Sequence, residues 1–387
     1  MALAGPFGSA ILADLGADVI KIEPPGGDMS RGTPPHPPDF ATPNSERQAG
    51  CDYGGYFGSI NRNKRGIQLD LKDPAQREIF LRMCERADAV VENMRAGVMD
   101  RLGCGYEQLA ARNRRIVYGA IRGFGDPRTG QSPYVDWPAF DIVAQSMGGL
   151  AHINGPPSQT GYPAGASVGD LYPGTLLALG VVSAVHEARR TGRGQFVDVA
   201  MADAVAFLCE TVIANYGYDG LSLGARGVGH PNLCPFDIYP TADGSVAIAA
   251  PRPRQWEDLC RAMGRPEFIA DSRTVNVRAR VENRALVNDA IEQWTAHLSK
   301  TQVVAALAGK VPCGPVNSAQ DLFEDPHFRA RDMIQEVTLP GDNPTVSIAG
   351  PPIKFTETPT TVYRRAPLLD EHRAEILAQF GINEELP

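Results

Sequence analysis

The first 200 residues alternate strand patterns with helix patterns, and this alternation limits the chain to few folds. Short apolar runs predict strands at 18–22, 66–71, 87–92, 116–121 and 195–200. Helical spacing of apolar residues predicts helices at 7–15, 74–86, 106–111 and 171–190. Strands that alternate with helices favour a parallel sheet with right-handed crossovers. We therefore predict an α/β fold whose large domain is built on a doubly wound parallel sheet.

The length of the chain adds a second domain to this prediction. A chain of 387 residues exceeds the size at which one hydrophobic core usually stops growing. Glycines recur between 217 and 233 and mark a boundary. We predict a large Rossmann-like domain at 1–224, completed by 331–387, and a smaller α+β domain at 225–330. A doubly wound unit normally opens with a strand, so the early first helix indicates a truncated start or an atypical sheet edge.

Charge and cysteine content exclude several classes of function. The formal net charge of -8 disfavours non-specific binding to nucleic acid or to an anionic membrane. We expect no apolar stretch of the roughly 18 residues that a membrane span requires. The seven cysteines are widely spaced, which indicates neither a disulfide framework nor a zinc ribbon. We expect a cytoplasmic protein that acts on small molecules, with no metal, nucleic acid or membrane as a partner.

A glycine-rich segment at 161–174 holds two candidate nucleophiles. Residues 165–169 match G-x-S-x-G, the nucleophile-elbow pattern, which would make Ser167 the nucleophile of a serine hydrolase. That pattern requires a hydrophobic strand running into the serine, and the prolines in 156–163 disfavour one. The second candidate is Asp170, directly before the helix predicted at 171–190. As the N-cap of that helix, its carboxylate would accept backbone N–H bonds.

Asp170 also has the chemistry of a nucleophile toward a thioester. A carboxylate that attacks a thioester carbonyl forms a mixed anhydride, and the released thiolate can then attack that anhydride to give an enzyme-bound thioester. Flanking glycines would let a substrate approach the backbone closely. Backbone N–H groups near the helix start would stabilise the oxyanion. Position alone does not separate this role from capping.

Short matching segments run along the whole chain and include LADLGADVIKIE and NRNKR. They lie at 3–7, 12–23, 27–32, 61–65, 91–93, 143–145, 169–170, 191–195 and 312–316. In these segments the chain resembles the class III CoA transferases, the family of formyl-CoA transferase and carnitine CoA transferase, which shares its fold with α-methylacyl-CoA racemase. The resemblance implies that Asp170 is the acylated nucleophile and that coenzyme A enters as an acyl-CoA. It also implies an interlocked homodimer.

The resemblance further implies which residues of the large domain bind CoA. The implied contacts are Ala4, Leu69, Lys72, Asn93, Met94, Arg95 and Arg101, and Asp141 aligns with an active-site acidic residue of formyl-CoA transferase. The cationic side chains among them suit the phosphates and the adenine edge of CoA. Pro24 stands where the family usually has a basic residue, so Arg31 is a further candidate for phosphate binding.

Two departures from the family pattern narrow the reaction. Phe140 takes the place of a catalytic histidine of the racemases, and phenylalanine cannot move a proton. Leu3 replaces a glutamine of formyl-CoA transferase, which argues against formyl or oxalyl substrates. We predict a CoA transferase that moves CoA to a carboxylic acid through an aspartyl-CoA intermediate on Asp170. The expected acyl groups are succinyl, mesaconyl, malyl and citramalyl. A racemase, a serine hydrolase using Ser167 and an inactive CoA-binding protein remain alternatives.

Residues around 226–230 lie where the family carries a glycine-rich loop that covers the active site. Here the segment includes Arg226, Gly229 and His230. As a hypothesis, Arg226 and His230 read the second carboxylate of a dicarboxylate acyl chain. His230 and Cys234 form an isolated pair, so no metal site is predicted.

Overall fold

The computed structural model describes residues 3–37, 53–157, 161–222, 224, 225, 227, 229–341 and 345–383. The chain divides into two compact units. The first comprises 1–151, 163–222 and 326–387, and the second comprises 152–162 and 223–325. The predicted small domain began at 225, whereas the second unit also takes in 152–162, a segment whose glycines and prolines gave no domain signal.

Five strands of the first unit form two parallel ladders. They are β1 (Ile20–Glu23), β2 (Arg65–Gln68), β3 (Ala89–Glu92), β4 (Val117–Arg122) and β5 (Phe196–Ala200). β1 pairs with β2, and β4 lies between β3 and β5. The predicted mixed α/β fold with parallel strands is confirmed. Among the described residues, these strands form two separate ladders and not one continuous ladder. The sequence could not show this, because strand patterns predict strands but not which strands pair.

Helices surround these strands. Up to residue 222 they are α1 (Ala4–Asp14), α2 (Gly55–Ile60), α3 (Pro74–Cys84), α4 (Val98–Arg101), α5 (Tyr106–Arg112), α6 (Asp141–Met147), α7 (Leu150–Ile153), α8 (Val168–Thr191), α9 (Met201–Leu208) and α10 (Glu210–Asp219), with a 3₁₀ turn at Met29–Gly32. Local signals set several ends. Asp73 caps α3 ahead of Pro74, and α8 ends at Gly192 in the left-handed conformation.

α1 and α8 pack closely because glycines face each other. A Cβ at Gly8 would lie 2.5 Å from the Gly174 carbonyl oxygen, and a Cβ at Gly174 would lie 2.6 Å from the Ala4 carbonyl oxygen. Any side chain at either position would therefore push the two helices apart. This contact fixes the first turns of α8 against the first turns of α1.

α8 is long and apolar enough to cross a membrane, by length and composition, with a mean hydropathy of 1.5. The expectation that the chain has no such stretch was wrong, because it required an unbroken apolar run, and glycines and serines interrupt this one. In the structure α8 contacts α1, β4, β5 and α9. A core helix of a water-soluble protein passes the same test of length and composition, so this is weak grounds for a membrane span.

The second unit is built around an antiparallel sheet. Its strands are β6 (Phe236–Thr241), β7 (Gly244–Ala249) and β8 (Cys313–Pro315), with β7 in the centre. Its helices are α11 (Pro253–Ala262), α12 (Val277–Glu282), α13 (Arg284–Thr295), α14 (Lys300–Leu307) and α15 (Ala319–Glu324), with a 3₁₀ turn at Pro266–Ile269. Trp256 lies in its core, and the Arg280 guanidinium covers that ring while donating to three backbone carbonyls.

The C-terminal segment belongs to the first unit. It contains α16 (Pro326–Ala330), the antiparallel pair β9 (Ile334–Thr338) and β10 (Thr345–Ala349), and α17 (Arg373–Phe380). α17 packs on β2, where Arg65 pairs with Glu375 at 2.9 Å. Ile376 and Leu377 join the core of the large unit.

Candidate active site

Asp170 lies inside the first turn of α8 and does not cap it. The helix begins at Val168, and Ser167 is the N-cap residue. Among the described residues the Asp170 carboxylate accepts no hydrogen bond, although the residue is half-buried. The capping interpretation was therefore wrong, because the helix starts before its apolar pattern does. The structure leaves this carboxylate available to a ligand.

A second carboxylate, Asp141, holds the start of α8. Asp141 is the first residue of α6, and its Oδ1 accepts the Gly169 N–H at 2.7 Å. A Cβ at Gly169 would lie 2.6 Å from the Asp141 carbonyl oxygen, so only glycine fits this contact. Gln145 is fully buried and donates to both Asp141 oxygens, at 2.9 and 3.1 Å, while its Oε1 accepts the Ala164 N–H. These bonds fix Asp141 beside Asp170.

The two carboxylates share one electrostatic environment with a tyrosine. Burial raises the pKa of Asp170 to about 6, and the negative charge of Asp141 adds to the increase. Burial also raises the pKa of Tyr56 on α2, with smaller contributions from the charges of Asp170 and Asp141. Sequence reasoning missed Tyr56, because a lone aromatic residue next to glycines carries no chemical signal. Its position before the 61–65 motif was the only pointer.

The backbone N–H groups of 168–171 are already engaged. They donate to Ala166 O, to Asp141 Oδ1 and, from both 170 and 171, to Ser167 O. The helix start and Asp141 therefore use these four N–H groups, and an oxyanion role for other N–H groups near the helix start stays a prediction. Residues 161–167 contain no strand, so Ser167 lacks the strand-to-helix turn of a nucleophile elbow.

Asn93 lies against the first turn of α1, which begins at Ala4. Ala4 is buried, and the Asn93 side chain lies so close to Gly5 that a Cβ there would be 2.9 Å from Asn93 Oδ1. Leu69 is 1% exposed and belongs to the hydrophobic core of the first unit. Leu69 therefore presents almost no surface to a ligand in this structure, and its predicted contact with CoA stays a prediction.

A buried ion pair shapes the loop that follows β3. Arg122 Nη2 donates to Glu92 Oε1 at 2.7 Å, Arg122 Nε donates to the Met94 carbonyl at 3.3 Å, and Glu92 Oε2 accepts the Met94 N–H at 2.5 Å. The buried side chains of Glu92 and Arg122 thus fix the backbone at Met94, in the middle of the segment 93–95. Met94 is half-buried and Arg95 is exposed at the end of this loop.

The predicted cationic contacts differ from the other arginines of the unit. Lys72, Arg95 and Arg101 are exposed, and the described residues supply no ion-pair partner to any of them. Arg101 lies over Gly97. Arg31, by contrast, is 2% exposed and forms two 2.7 Å bonds to Glu23. Burial and the bonds from Nε and Nη2 to Glu23 disfavour phosphate binding by Arg31, whose buried Nη1 has no hydrogen-bond partner among the described residues.

The predicted substrate loop belongs to the second unit. His230 Nδ1 accepts the Asn232 N–H at 3.1 Å, and its ring lies beside Phe236. Gly229 faces Asp237 and Arg284, which leave no room for a side chain. Arg226 lies outside the described residues.

The residue in place of the racemase histidine offers no proton-transfer group. Phe140 is the N-cap residue of α6, and 71% of it is exposed. Within the part of the chain that the structure describes, no group of three His, Cys, Asp or Glu residues lies close enough to hold a metal ion.

Known proteins match the chain almost end to end. The family model described as CoA-transferase family III matches residues 1–373. A succinyl-CoA:mesaconate CoA-transferase of Haloarcula hispanica is 45% identical, over 98% of this chain and 93% of that protein. A succinate–glutarate CoA-transferase of Agrobacterium fabrum is 34% identical, over 97% of this chain and 92% of that protein. The crystal structure of a CAIB/BAIF family protein from Brucella suis has a TM-score of 0.82 and 34% identity, covering 98% of this chain and 96% of that one.

Proposed function

The chain belongs to CoA-transferase family III, and we propose that it moves CoA from an acyl-CoA to a carboxylic acid through a thioester on Asp170. Members of this family are enzymes that use CoA thioesters and carboxylates as substrates. The observation that carries the proposal is the Asp170 carboxylate itself. It is half-buried, accepts no hydrogen bond from the described residues, and has a pKa raised to about 6.

The proposed reaction has two symmetrical halves. The Asp170 carboxylate attacks the thioester carbonyl, which forms a mixed anhydride and releases the CoA thiolate. The thiolate attacks the Asp170 carbonyl carbon, which gives aspartyl-CoA and releases the first acid as its carboxylate. The second acid's carboxylate attacks aspartyl-CoA, and the thiolate set free then attacks the acyl carbonyl of the new anhydride. Asp170 is regenerated as a carboxylate, and no net proton is consumed.

The environment of Asp170 supports this role. A raised pKa makes a carboxylate a stronger nucleophile, and a value of about 6 still leaves it ionised at neutral pH. Asp141 holds the helix that carries Asp170 and adds negative charge beside it. We assign Asp141 this positioning role in place of the expected CoA contact, because its oxygens are engaged by Gly169 and Gln145.

Binding of CoA would use the surface cations and the first turn of α1. Lys72, Arg95 and Arg101 are exposed and unpaired within the described residues, so each can approach a phosphate without first breaking an ion pair. Ala4 and Asn93 lie together where α1 begins and β3 ends. This edge is where parallel sheets usually bind nucleotides.

Dicarboxylic acids are the proposed substrate class. The relatives at 45% and 34% identity are named for succinyl-CoA and mesaconate and for succinate and glutarate. All of these acids carry a second carboxylate. Leu3 is buried and apolar in place of a glutamine, which disfavours formyl or oxalyl groups.

We propose that the chain forms a homodimer whose interface includes the apolar faces of α8, α9 and α10. Large side chains there remain exposed in the isolated chain, and these are Leu179, Val182, Phe207, Ile213, Tyr216 and Tyr218. Patches of this kind mark protein–protein contacts, and a second copy of the chain is the expected partner. A cytoplasmic location stays a prediction from the scattered cysteines.

The test is CoA exchange between succinyl-CoA and mesaconate in matched variants. We expect mesaconyl-CoA from the wild type and from Ser167→Ala, and none from Asp170→Asn. A serine hydrolase would instead release free CoA and lose activity in Ser167→Ala. A racemase would exchange the α-hydrogen of 2-methylacyl-CoA for deuterium without an acceptor acid. Absence of exchange with every donor would refute the transferase.

A further inference from the structure

Four of the predicted CoA contacts lie in the segment 93–101, which follows β3 and ends with α4. The end of β4 and the loop after it contact this segment near both of its ends. Near the first end, Arg122 Nε donates to the Met94 carbonyl at 3.3 Å. Near the second end, Arg128 Nη2 donates to Asp100 Oδ1 at 2.8 Å. One stretch of chain after β4 therefore holds the whole segment.

α4 depends on such contacts for its position, because it is a single helical turn. A helix of this length is not stable on its own in water. Its N-cap residue, Gly97, is left-handed and provides no side-chain cap. Two residues attach the turn to the rest of the unit: Met99 lies in the hydrophobic core, and Asp100 pairs with Arg128. The next residue is Arg101, whose side chain is exposed.

Arg128 is itself fixed by carboxylates on three sides. Its Nε and Nη2 donate to Glu107 at 2.8 and 2.7 Å, and its Nη1 donates to both oxygens of Asp126 at 3.1 and 3.2 Å. Asp126 is buried and also accepts the backbone N–H of Arg128 at 2.9 Å. The guanidinium group is planar, with donors in a fixed arrangement. These bonds therefore fix where Asp100 can lie.

Asp100 has a cost for phosphate binding that its pairing with Arg128 explains. A carboxylate next to Arg101 repels a phosphate and so weakens the binding of CoA at that arginine. The pair also adds little to stability, because the side chains of Arg128 and Asp100 are 28% and 33% exposed. Neither attraction of CoA nor stability accounts for the pair, whereas attachment of α4 does.

We propose that Arg128 and Asp100 are positioning residues that hold α4 so that Arg101 can bind a phosphate of CoA. The proposal rests on the proposed transfer reaction, in which CoA binds to the first unit. Neither positioning residue touches CoA. All three guanidinium nitrogens of Arg128 already donate to carboxylates, and Asp100 is an anion.

Kinetics with two donors separates positioning from a general structural role. Succinyl-CoA and succinyl-pantetheine share the reacting thioester, but only succinyl-CoA carries phosphates. With mesaconate as the acceptor, Asp100→Ala should raise the KM for succinyl-CoA by about three- to tenfold, as loss of Arg101 itself would. The kcat and the KM for succinyl-pantetheine should not change. Arg128→Gln should act in the same direction, although it also removes a cation from the buried Asp126.

Glu107→Ala is the matched control for the loss of charge. It removes one negative charge and a partner of Arg128, as Asp100→Ala does, but it leaves the bond to α4 in place. Loss of a negative charge should by itself attract CoA and lower the KM. A KM that rises in Asp100→Ala but not in Glu107→Ala therefore reports the position of α4. A KM that falls in both variants would overturn the proposal.

A double-mutant cycle tests whether Asp100 acts through Arg101. In the Arg101→Ala background, Asp100→Ala should have no further effect on the KM for succinyl-CoA, because the two residues act as one unit. Additive effects would overturn the proposal. Equal losses with succinyl-CoA and succinyl-pantetheine would also overturn it, since they would assign the pair to the framework of the unit.

Calorimetry with CoA alone keeps this test separate from the transfer reaction. The Kd for CoA should rise in Asp100→Ala by the same factor as the KM. If the wild type binds CoA in this way but transfers none, the proposed function fails while the positioning role stands. If transfer proceeds but Arg101→Ala leaves the Kd for CoA unchanged, the positioning role fails while the transfer reaction stands.

Discussion

Two groups of charged residues in the first unit contrast with each other. In one, Arg62 surrounds Asp14 with bonds of 2.5 to 3.2 Å, and Asn63 adds a further bond to the same carboxylate at 2.9 Å. In the other, Asp170 lies beside Asp141 with no cation among the causes of its raised pKa. Both groups come from motifs that the sequence shares with one family. Only the second leaves a charged group available for chemistry.

The difference indicates what each motif does. A buried carboxylate that is paired on all sides stabilises the fold and resists reaction. A half-buried carboxylate without a partner costs stability and is kept where it has a use. The NRNKR motif therefore belongs to the framework, since it links α1 to the C-terminal segment through Asn63, whose side chain bonds the backbone at 361, 363 and 364.

The largest expected effect comes from removing the unpaired charge. Asp170→Asn should lower CoA transfer by at least about 10³-fold, because an amide cannot attack the thioester. The variant should be as stable as the wild type or more stable at pH 8, since it loses a dehydrated negative charge. Steady-state kinetics checks the loss of CoA transfer, and chemical denaturation checks the stability. Residual transfer above a tenth of the wild-type rate would contradict the role of Asp170 as the nucleophile.

Breaking the paired group should do the opposite. Arg62→Met leaves Asp14 buried with only Asn63 as a partner, which should cost about 3–5 kcal/mol of the free energy of unfolding. The rate of transfer per folded molecule should stay within a factor of about three, an order-of-magnitude expectation for a residue remote from the reacting atoms. Urea denaturation measures the free energy of unfolding. The double variant Arg62→Met/Asp14→Leu should regain much of the loss, and failure to do so would mean that packing rather than charge is responsible.

The pH dependence separates the two groups further. Asp170 must be ionised to attack, so kcat/KM should fall about tenfold per pH unit below its pKa of about 6. Asp141→Asn removes a charge that raises this pKa, and the acid limb should move to lower pH. An unchanged acid limb in that variant would show that the two carboxylates do not interact.

Stability should respond to pH in the opposite direction. The pKa of Asp170 is raised on folding from 3.8 to about 6, so the folded state binds this proton more tightly than the unfolded state. The contribution of Asp170 to stability is therefore fully present below about pH 3.8 and is lost as the pH rises through about 6. Asp170→Asn should match the wild-type Tm at pH 4 and exceed it at pH 8, by calorimetry. A lower Tm at pH 8 would contradict this assignment.

The smallest effects are expected at the exposed cations. Alanine at Lys72, Arg95 or Arg101 should each raise the KM for acyl-CoA by about three- to tenfold and leave kcat and Tm unchanged, since the contacts are exposed and screened. The effect should shrink at high salt. Arg278→Ala, in the second unit, is the control for a generic loss of charge. A change in kcat without a change in KM would place these residues elsewhere.

The sequence predicted the elements of the first unit better than their assembly. The strands and the long apolar helix were found within a few residues, because their periodicity is local. The split of the strands into two ladders and the start of α8 at Val168 depend on tertiary contacts that no periodicity records. Gly169 shows the limit well. It was expected to let a substrate approach the backbone closely, and in the structure Asp141 packs directly on it and leaves no room for a side chain.

Among the site residues, chemistry was easier to predict than environment. Asp170 was identified from its resemblance and from carboxylate chemistry. Arg31 looked as suitable for phosphate as Arg95, and only burial against Glu23 separates the two. Tyr56 was missed because its surroundings are assembled from distant parts of the chain.

Mass spectrometry of the protein after incubation with succinyl-CoA tests the central claim most directly. The account predicts a covalent CoA adduct, which maps to the peptide containing Asp170, is absent in Asp170→Asn, and disappears when mesaconate is added. An adduct on Ser167, or transfer at the wild-type rate with no adduct on Asp170 under any donor, would contradict it.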